Sequence, residues 1–218
     1  MEYKTFGDIN SNIILVQMIE RRGLSAIERE VDYINELAPD RDFCLLAVMV
    51  DNWNDDLSPW EAPAVFGKDG FLGKAGDTFS VLMELLKEDI LKERNLSEVK
   101  MCIGGYSLAG LFALWCAYQT DIFDCVAAAS PSVWFPGFYD YAKEKPIKTK
   151  AVYLSLGDKE EKAKNKLMST VGDVIREYHA LLSKEFGCVL EWNEGNHFKE
   201  HELRMAKGFA WVINEEGL

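Results

Sequence analysis

Residues 105–110 restrict the fold of this chain more than any other stretch, because they set a serine, Ser107, in a frame of glycine and alanine. The apolar residues 99–104 before them are typical of a strand, and the apolar residues 111–118 after them are typical of a helix. Ser107 is therefore predicted to lie on a tight strand-to-helix turn with a strained backbone. Strand and helix nearly touch at such a turn, so the flanking positions must be small.

A serine on a strand-to-helix turn is the arrangement called a nucleophile elbow, which exposes the hydroxyl at the end of a strand. The usual pattern has glycine two residues before and two residues after the serine. Here Gly105 and Ala109 hold those positions and Gly110 follows, so alanine keeps the small volume where glycine is usual. The alternative is a tight turn without chemistry, and the interpretation depends on whether the chain also supplies a base and an acid.

Composition predicts one globular domain that covers residues 1–218. Hydrophobic residues make up 48% of the chain and charged residues 28%, as in ordinary soluble proteins. Residues 1–8 lack the basic and apolar segments of a secretion signal, and no later apolar run has the length of a membrane span. The five cysteines are scattered, odd in number and mostly embedded in apolar patterns. We therefore expect a cytoplasmic protein with reduced cysteines.

The net charge of −12 excludes some classes of partner. Phosphate groups would be repelled, so we expect no nucleic-acid partner and no anionic membrane surface. Neither a calcium loop starting at Asn52 nor a phosphate-binding loop ending at Lys74 has the residues that such motifs need. We expect no metal and no cofactor. The sequence does not determine the oligomeric state.

Strand patterns and helix patterns alternate along the chain, which is typical of a parallel sheet with helices on both faces. The predicted strands cover residues 12–19, 43–50, 99–104, 125–130, 151–156 and 188–192. A first helix is predicted to begin at Ser25, which forms a capping box with Glu28. Further helices are predicted to begin at residue 77 or 78 and end at 91, to cover 111–118 and 168–183, and to close the chain. The residues from 51 to 76 are predicted to form a long loop, and loops of that length are usually functional.

The base is sought among three histidines. His197 follows the last predicted strand in a polar loop that contains glycine, which is where a nucleophile elbow meets its base. His179 lies within a predicted helix and His201 lies in the closing helix beside two glutamates, so both are interpreted as surface or packing residues. A zinc pair formed by His197 and His201 is a minor alternative, because no clear third ligand lies nearby.

The acid should follow a strand that lies between the serine and the base in the chain. Asp158, Glu160 and Glu161 all follow the predicted strand 151–156. Asp158 is nearest the strand but short, whereas Glu160 has the longer reach. At least two of the three must be solvated loop charges.

Backbone N–H groups are expected to stabilise an oxyanion at this site. One is the N–H of Leu108, directly after the serine, and the second should come from the loop after strand 43–50. Asn52, Trp53 or Asn54 could supply it, and the sequence does not choose among them. Trp53 and Trp60 are predicted either to wall the pocket or to belong to the core.

The connection from residue 130 to residue 150 is too short for a mobile helical lid. It carries Trp134 and four other aromatic residues. Aromatic residues serve both packing and binding, so this cluster either covers the sheet edge as core or lines the pocket. Trp134 is taken as a candidate substrate-binding residue.

Residues 104–114 and 129–135 together resemble the esterase branch of the α/β-hydrolase superfamily that includes esterase D and the ferric-siderophore esterases. The resemblance spans residues 43–211. It implies a three-layer α/β-hydrolase fold with a mostly parallel central sheet, helices on both faces and no substantial cap domain.

The same resemblance implies roles for the site residues. The acid of that family commonly lies three residues after the glycine that ends a strand, which matches Glu160 after Gly157. The base follows a loop that contains glycine, which matches His197 after Gly195. Basic residues are not concentrated near the elbow in the sequence, so hydrolysis of an acidic siderophore is not carried over.

The hypothesis from the sequence is a serine carboxylesterase that cleaves a small soluble ester through Ser107, His197 and an acid, taken as Glu160, with an acyl-enzyme intermediate. The same residues could serve a thioesterase, an amidase or an acyltransferase. An alternative of another class is a catalytically silent hydrolase fold that binds a ligand.

Overall fold

The computed structural model describes residues 1–65 and 67–214 and is built on a twisted central sheet. Those residues contain nine strands, which are β1 (Glu2–Gly7), β2 (Ile13–Glu20), β3 (Cys44–Val50), β4 (Glu61–Ala62), β5 (Phe71–Leu72), β6 (Lys100–Tyr106), β7 (Cys125–Ala129), β8 (Ala151–Gly157) and β9 (Gly187–Asn193). Seven of them form the central sheet in the order β1-β3-β2-β6-β7-β8-β9, and β4 pairs with β5 in a separate ribbon. All neighbours in the central sheet are parallel except β1 and β3.

Helices cover both faces of the central sheet. They are α1 (Leu24–Leu37), α2 (Trp53–Leu57), α3 (Ala75–Leu85), α4 (Leu108–Gln119), α5 (Phe138–Glu144), α6 (Val171–Leu182) and α7 (His201–Asn214). The buried residues of α1 and α7 belong to the core on one face, and those of α3, α4 and α6 belong to the core on the other. Across residues 1–65 and 67–214, no helix combines the length and the apolar character needed to cross a lipid bilayer.

The central strands are buried on both sides, as their nearly continuous apolar sequences predict. In β2, Leu15 and Ile19 face the core beneath α1 and α7, whereas Ile14, Val16 and Met18 face the opposite core. Burial of alternate side chains in two separate cores explains why the strand has no polar face. The six predicted strands are confirmed to within two residues at each end.

Three parts of the fold differ from the sequence prediction. Strand β1 was not predicted, because its residues are mostly exposed or half-buried at the antiparallel edge of the sheet. The capping box at Ser25 is wrong: a 3-10 turn over Arg21–Gly23 winds the chain earlier, so Ser25 already lies inside α1 and no side chain caps the helix. The predicted loop 51–76 contains α2, the β4–β5 ribbon and the first residues of α3.

Parallel strands bring the loops that follow β3, β6, β7, β8 and β9 to one edge of the sheet, because their carboxyl ends all point the same way. These loops carry every residue that the sequence predicted for the site.

Candidate active site

The predicted elbow lies where β6 passes into α4, at the carboxyl edge of the sheet. Ser107 stands between the two elements with φ 60° and ψ −120°, a backbone region that residues other than glycine rarely occupy. A Cβ atom on Gly105 would lie 2.4 Å from the carbonyl carbon of Ala109, and one on Gly110 would lie 2.8 Å from the carbonyl oxygen of Gly105. The prediction of a strained serine among closely packed small residues is confirmed.

Three side chains from three loops form a continuous chain of hydrogen bonds at this edge. His197 Nε2 lies 2.9 Å from Ser107 Oγ, and His197 Nδ1 lies 2.7 Å from Glu160 Oε2. Because an ionised carboxylate only accepts hydrogen bonds, it holds the proton of the neutral imidazole on Nδ1. Nε2 then keeps the lone pair that can accept the serine proton.

The structure separates the three carboxylates that the sequence left as alternatives. Glu160 opens a single turn of 3-10 helix after β8, and its carboxylate reaches His197. Asp158 instead accepts a hydrogen bond from the backbone N–H of Gly195 at 2.7 Å. Glu161 pairs with an arginine of α6 at 2.8 Å. Of these three, only Glu160 contacts the imidazole.

The carboxylate of Glu160 is buried but surrounded by donors. Its Oε1 atom accepts hydrogen bonds from the backbone N–H of Gly157 at 2.7 Å and from Ser130 Oγ at 2.7 Å. Burial by itself raises the pKa of Glu160, but the hydrogen bonds from His197, Ser130 and Gly157 outweigh burial and lower this pKa below its usual value. Glu160 is therefore ionised at neutral pH.

Arg204 of α7 also reaches Glu160, a contact that no sequence pattern predicted. Its side chain is 1% exposed. Nη1 donates to Glu160 Oε1 at 3.0 Å and to Tyr106 Oη at 3.2 Å, and Nη2 donates to the carbonyl oxygens of Glu194 at 3.2 Å and Asn196 at 3.1 Å. An arginine in an amphipathic helix usually lies on the solvent face. Helical periodicity alone therefore predicts an exposed side chain at this position.

Some of the N–H groups that were expected to bind an oxyanion belong to residues around the serine hydroxyl, and one does not. Leu108 is the first residue of α4, so its N–H has no acceptor within the helix. Among the three alternatives for the second donor, the N–H of Asn52 already donates to the carboxylate of Asp56 at 2.8 Å. Trp53 and Asn54 line the pocket around Ser107, whereas Asn52 does not.

The serine opens into a pocket of about 690 Å³ whose walls are mainly apolar. Its apolar lining includes Trp53, Phe71, Trp134, Met168, Val171 and Phe198. Phe198, next to the histidine of the site, is 85% exposed and forms the rim. Lys159 and Lys162 also line the pocket, so the fold brings to the site two cations that lie far from the elbow in the sequence.

Solved structures with this architecture identify the fold. No family model and no curated protein matches the chain. The siderophore hydrolase EstA from Aspergillus nidulans is 14% identical, with 97% of this chain and 89% of that chain covered and a TM-score of 0.71. An IroE-like serine hydrolase from Shewanella oneidensis is 14% identical, with 97% and 80% covered and a TM-score of 0.70. The BES protein from Bacillus cereus is 17% identical, with 98% and 90% covered and a TM-score of 0.63.

The chain has the α/β-hydrolase fold. The predicted three-layer architecture with a mostly parallel sheet is confirmed. In this chain, the elbow, the carboxylate and the histidine follow β6, β8 and β9 in that order, which is the order expected for a nucleophile, an acid and a base on this fold.

The segment between β7 and β8 is partly core and partly pocket wall. Trp134 lines the pocket, whereas Phe138 is fully buried in the core. Trp60 does not wall the pocket as one interpretation held: its Nε1 donates to the carbonyl oxygen of Pro136 at 2.8 Å, and its ring packs against Phe135. Trp60 therefore anchors this segment to the protein.

Ser130 and Ser132, which flank a proline after β7, also touch the site. Ser130 donates to Glu160, as described above, and Ser132 Oγ lies 3.5 Å from Ser107 Oγ. The backbone N–H of Ser132 donates to the carbonyl oxygen of Ser107 at 3.0 Å. In the sequence, these serines belong to residues 129–135, which carry a family resemblance but predict no role for either hydroxyl.

The other two histidines of this protein lie outside the hydrogen bonds that link Glu160, His197 and Ser107. His179 Nε2 lies 3.1 Å from the carbonyl oxygen of Cys188, on the surface of α6. His201 begins α7 and lies 3.4 Å from the carboxylate of Glu202. In residues 1–65 and 67–214, no group of three or more His, Cys, Asp or Glu side chains could hold a metal ion.

Proposed function

We propose that this protein is a serine carboxylesterase in which Ser107 is the nucleophile, His197 the general base and Glu160 the orienting acid. The observation that carries the proposal is the hydrogen-bonded chain from Glu160 Oε2 through His197 to Ser107 Oγ, with both distances below 3.0 Å. A serine hydroxyl is a weak nucleophile until an imidazole takes its proton, and this chain supplies that imidazole.

In the first step, Ser107 Oγ forms a bond to the ester carbonyl carbon while His197 Nε2 takes the hydroxyl proton. The carbonyl oxygen becomes an oxyanion. The ionised Glu160 stabilises the imidazolium that forms, because its carboxylate lies 2.7 Å from Nδ1. When the tetrahedral intermediate collapses, His197 returns the proton to the departing alkoxide, which leaves as the alcohol.

In the second step, water attacks the acyl-enzyme and the same groups act again. His197 takes a proton from water, the hydroxide forms a bond to the acyl carbon, and the bond from the acyl carbon to Ser107 Oγ breaks. His197 then returns the proton to Oγ. The products are the carboxylic acid and the free enzyme, so no cofactor or metal is required by this scheme.

The N–H of Leu108 is proposed as one donor to the oxyanion, because it follows the nucleophile at the start of α4. The second donor is proposed to be the N–H of Trp53 or of Asn54. Both residues line the pocket at the start of α2, where N–H groups have no acceptor within the helix.

We propose a small-molecule ester with an apolar acyl or alcohol group as the substrate. The aromatic and aliphatic walls of a pocket of about 690 Å³ support this, because such walls bind apolar groups by removing them from water. Trp134 is proposed as a contact for that group.

An ester that also carries an anionic group is a second candidate substrate, favoured by Lys159 and Lys162 at the pocket. Two solved structures of similar fold are named siderophore hydrolases. The test compares kcat/KM for a p-nitrophenyl ester that ends in a carboxylate with that of a neutral ester of equal length. Replacing both lysines by alanine should lower only the first value, Lys164→Ala should change neither, and an unchanged ratio in the double variant would rule out this substrate class.

Labelling with a fluorophosphonate probe tests the proposed chemistry directly, since such probes phosphonylate an activated serine. The wild-type protein should be labelled at Ser107, and Ser107→Ala should not be labelled. Ser132→Ala is the matched control, because Ser132 Oγ lies 3.5 Å away in the same pocket and this variant should still be labelled. An unlabelled wild-type protein would favour a silent fold that only binds its ligand.

A panel of esters, thioesters and amides, with and without an acceptor alcohol, separates the proposed carboxylesterase from its alternatives. The proposal expects the ester of each matched set to be hydrolysed with the highest kcat/KM. A preference for thioesters or amides, or transfer of the acyl group to the alcohol in place of water, would replace the assigned reaction while keeping the same catalytic residues.

We also propose that the protein works in the cytoplasm. Cys44, Cys102 and Cys116 are free thiols buried in the core, which supports a reducing compartment. Cell fractionation with antibody detection tests this location, and recovery in a secreted fraction would overturn it.

A further inference from the structure

We propose that Arg204 is a positioning residue that holds the base of this site, His197, in its working state. The inference rests on the proposed function, since it assigns Arg204 a part in the same reaction. Arg204 does not face the pocket and does not touch the serine; it acts through groups that contact or carry the imidazole.

The hydrogen bonds of the guanidinium converge on His197. Nη1 donates to Glu160 Oε1, and the other oxygen of that carboxylate contacts His197 Nδ1. Nη1 also donates to the hydroxyl of Tyr106, which in turn donates to the carbonyl oxygen of His197 at 2.7 Å. Nη1 of Arg204 is thus linked to the imidazole ring through Glu160 and to the backbone of His197 through Tyr106.

The other end of the guanidinium holds the loop that carries the imidazole. Nη2 donates to the carbonyl oxygens of Glu194 and Asn196, and Asn196 directly precedes His197. The backbone at Gly195, between these two, has φ 109°, a conformation that glycine adopts without strain. Without Nη2 this short loop would lose two of the hydrogen bonds that set the position of the imidazole.

Arg204 also supplies a buried positive charge beside the pair formed by Glu160 and His197. The other titratable groups that face the guanidinium are Tyr106 and Tyr153, and burial raises the pKa of both phenols, so both stay neutral at neutral pH. A nearby cation disfavours the addition of a proton to the pair, whichever of the two side chains takes it. Arg204 therefore acts on this pair through its charge as well as through its hydrogen bonds.

The test compares Arg204→Met, which removes the charge, with Arg204→Lys, which keeps it. The quantity measured is the pH dependence of kcat/KM, whose acid limb reports the protonation of the free enzyme's base. In Arg204→Met the acid limb should move to higher pH by about one pH unit or more. Its kcat should fall about tenfold or more with KM nearly unchanged, because the imidazole is misplaced and the pocket is not.

In Arg204→Lys the acid limb should stay at its wild-type pH, while kcat falls because one ammonium cannot reach both Glu160 and the loop carbonyls. Lys207→Met is the matched control. Lys207 lies one turn along α7 and donates to Glu191 at 2.6 Å and to Asn193 Oδ1 at 3.0 Å. It does not line the pocket, so its loss should leave kcat and the acid limb unchanged.

A purely structural role would lower the thermal stability of Arg204→Met while leaving the acid limb and kcat of the folded fraction at wild-type values, and that result would overturn the proposal. Should Arg204→Met not fold, Arg204→Gln offers a neutral side chain that can still donate to Glu160. If neither neutral variant folds, Arg204→Lys decides: reduced kcat with unchanged KM supports the positioning role, and wild-type kcat overturns it.

Failure of this inference is distinguishable from failure of the proposed function. If the proposed function is wrong, the wild-type protein itself either is not labelled by the fluorophosphonate or does not prefer esters in the substrate panel. If only the role of Arg204 is wrong, the wild-type protein is labelled and active, and Arg204→Met shares its pH profile.

Discussion

The three side chains proposed for catalysis are held in position by different kinds of interaction. Ser107 is held by backbone geometry, since its strained conformation comes from the turn between β6 and α4. His197 is held by hydrogen bonds with Glu160 and with Tyr106 at the end of β6, and Glu160 is held in a buried position by donors that include Arg204. Substitutions at these three positions should therefore affect activity and stability in different proportions.

Ser107→Ala should abolish ester hydrolysis and leave the thermal unfolding temperature nearly unchanged, because it removes one hydroxyl at the pocket without opening a cavity in the core. His197→Ala should abolish hydrolysis in the same way. Residues that act as a unit have non-additive effects, so the double variant should be scarcely worse than either single one. Steady-state kinetics and thermal melts check both statements, and full activity in Ser107→Ala would remove the proposed mechanism.

Glu160→Gln should lower kcat by orders of magnitude, because an amide cannot stabilise the imidazolium. It should also destabilise the fold, by about 3–5 kcal/mol, since Arg204 would remain as a buried charge without its carboxylate. Kinetics and urea unfolding measure the two effects. Asp158→Asn and Glu161→Gln are matched controls that should lower kcat only slightly. A large loss of kcat in Asp158→Asn would show that Asp158, and not Glu160, is the acid.

At the level of elements, the contact between α1 and the sheet contains a buried polar pair. Gln17 of β2 donates through Nε2 to Glu30 Oε2 of α1 at 3.2 Å, and both side chains are buried. Burial raises the pKa of Glu30 to about 8, with smaller effects from the hydrogen bond of Gln17 and the charge of Glu202. Glu30 is thus mostly protonated in the folded protein at pH 7 and ionised in the unfolded chain.

This pair predicts a loss of stability as the pH rises. Between the unfolded pKa of 4.5 and the folded pKa of about 8 the unfolded chain binds fewer protons, so the free energy of unfolding should fall across that range and level off above it. Glu30→Gln should remove this slope and raise stability near pH 8. Urea unfolding from pH 5 to pH 9 measures it, with the exposed Glu28→Gln of the same helix as control. A slope that survives in Glu30→Gln would contradict the assignment.

At the level of the whole molecule, the pocket is open at the carboxyl edge of the sheet. The segment from β7 to β8, where a lid could be inserted, is short and contains only α5. Contacts of Trp60 with Pro136 and Phe135 hold this segment against the protein. Access to Ser107 therefore does not require movement of a helical lid.

The open pocket predicts that small soluble esters are hydrolysed without interfacial activation. Rates should rise smoothly with substrate concentration and show no jump where the substrate forms micelles, because no lid has to open at a lipid surface. Initial rates across the solubility limit of p-nitrophenyl esters with short and long acyl chains check this. A jump in rate, or a marked preference for long chains, would contradict it.

The sequence by itself determined the features that depend on neighbours along the chain. Apolar runs predicted six of the seven strands of the central sheet, and small residues around Ser107 predicted the elbow, because strand burial and tight turns restrict local sequence. The position of His197 after the last strand also followed from order along the chain. These are short-range constraints, so the pattern of residue types carries them.

Only the tertiary structure decided which of several equivalent groups meet. Asp158, Glu160 and Glu161 all follow the same strand, and the sequence favoured Glu160 by its reach and by a family resemblance. Contacts with Gly195, with His197 and with α6 distinguish the three in the structure. Arg204 is brought to the site by the packing of α7 on the sheet, which no local pattern reports for a charged residue. Side-chain direction and hydrogen-bond partners come from segments distant in sequence, and that is the physical reason why folding, and not sequence pattern, assigned these roles.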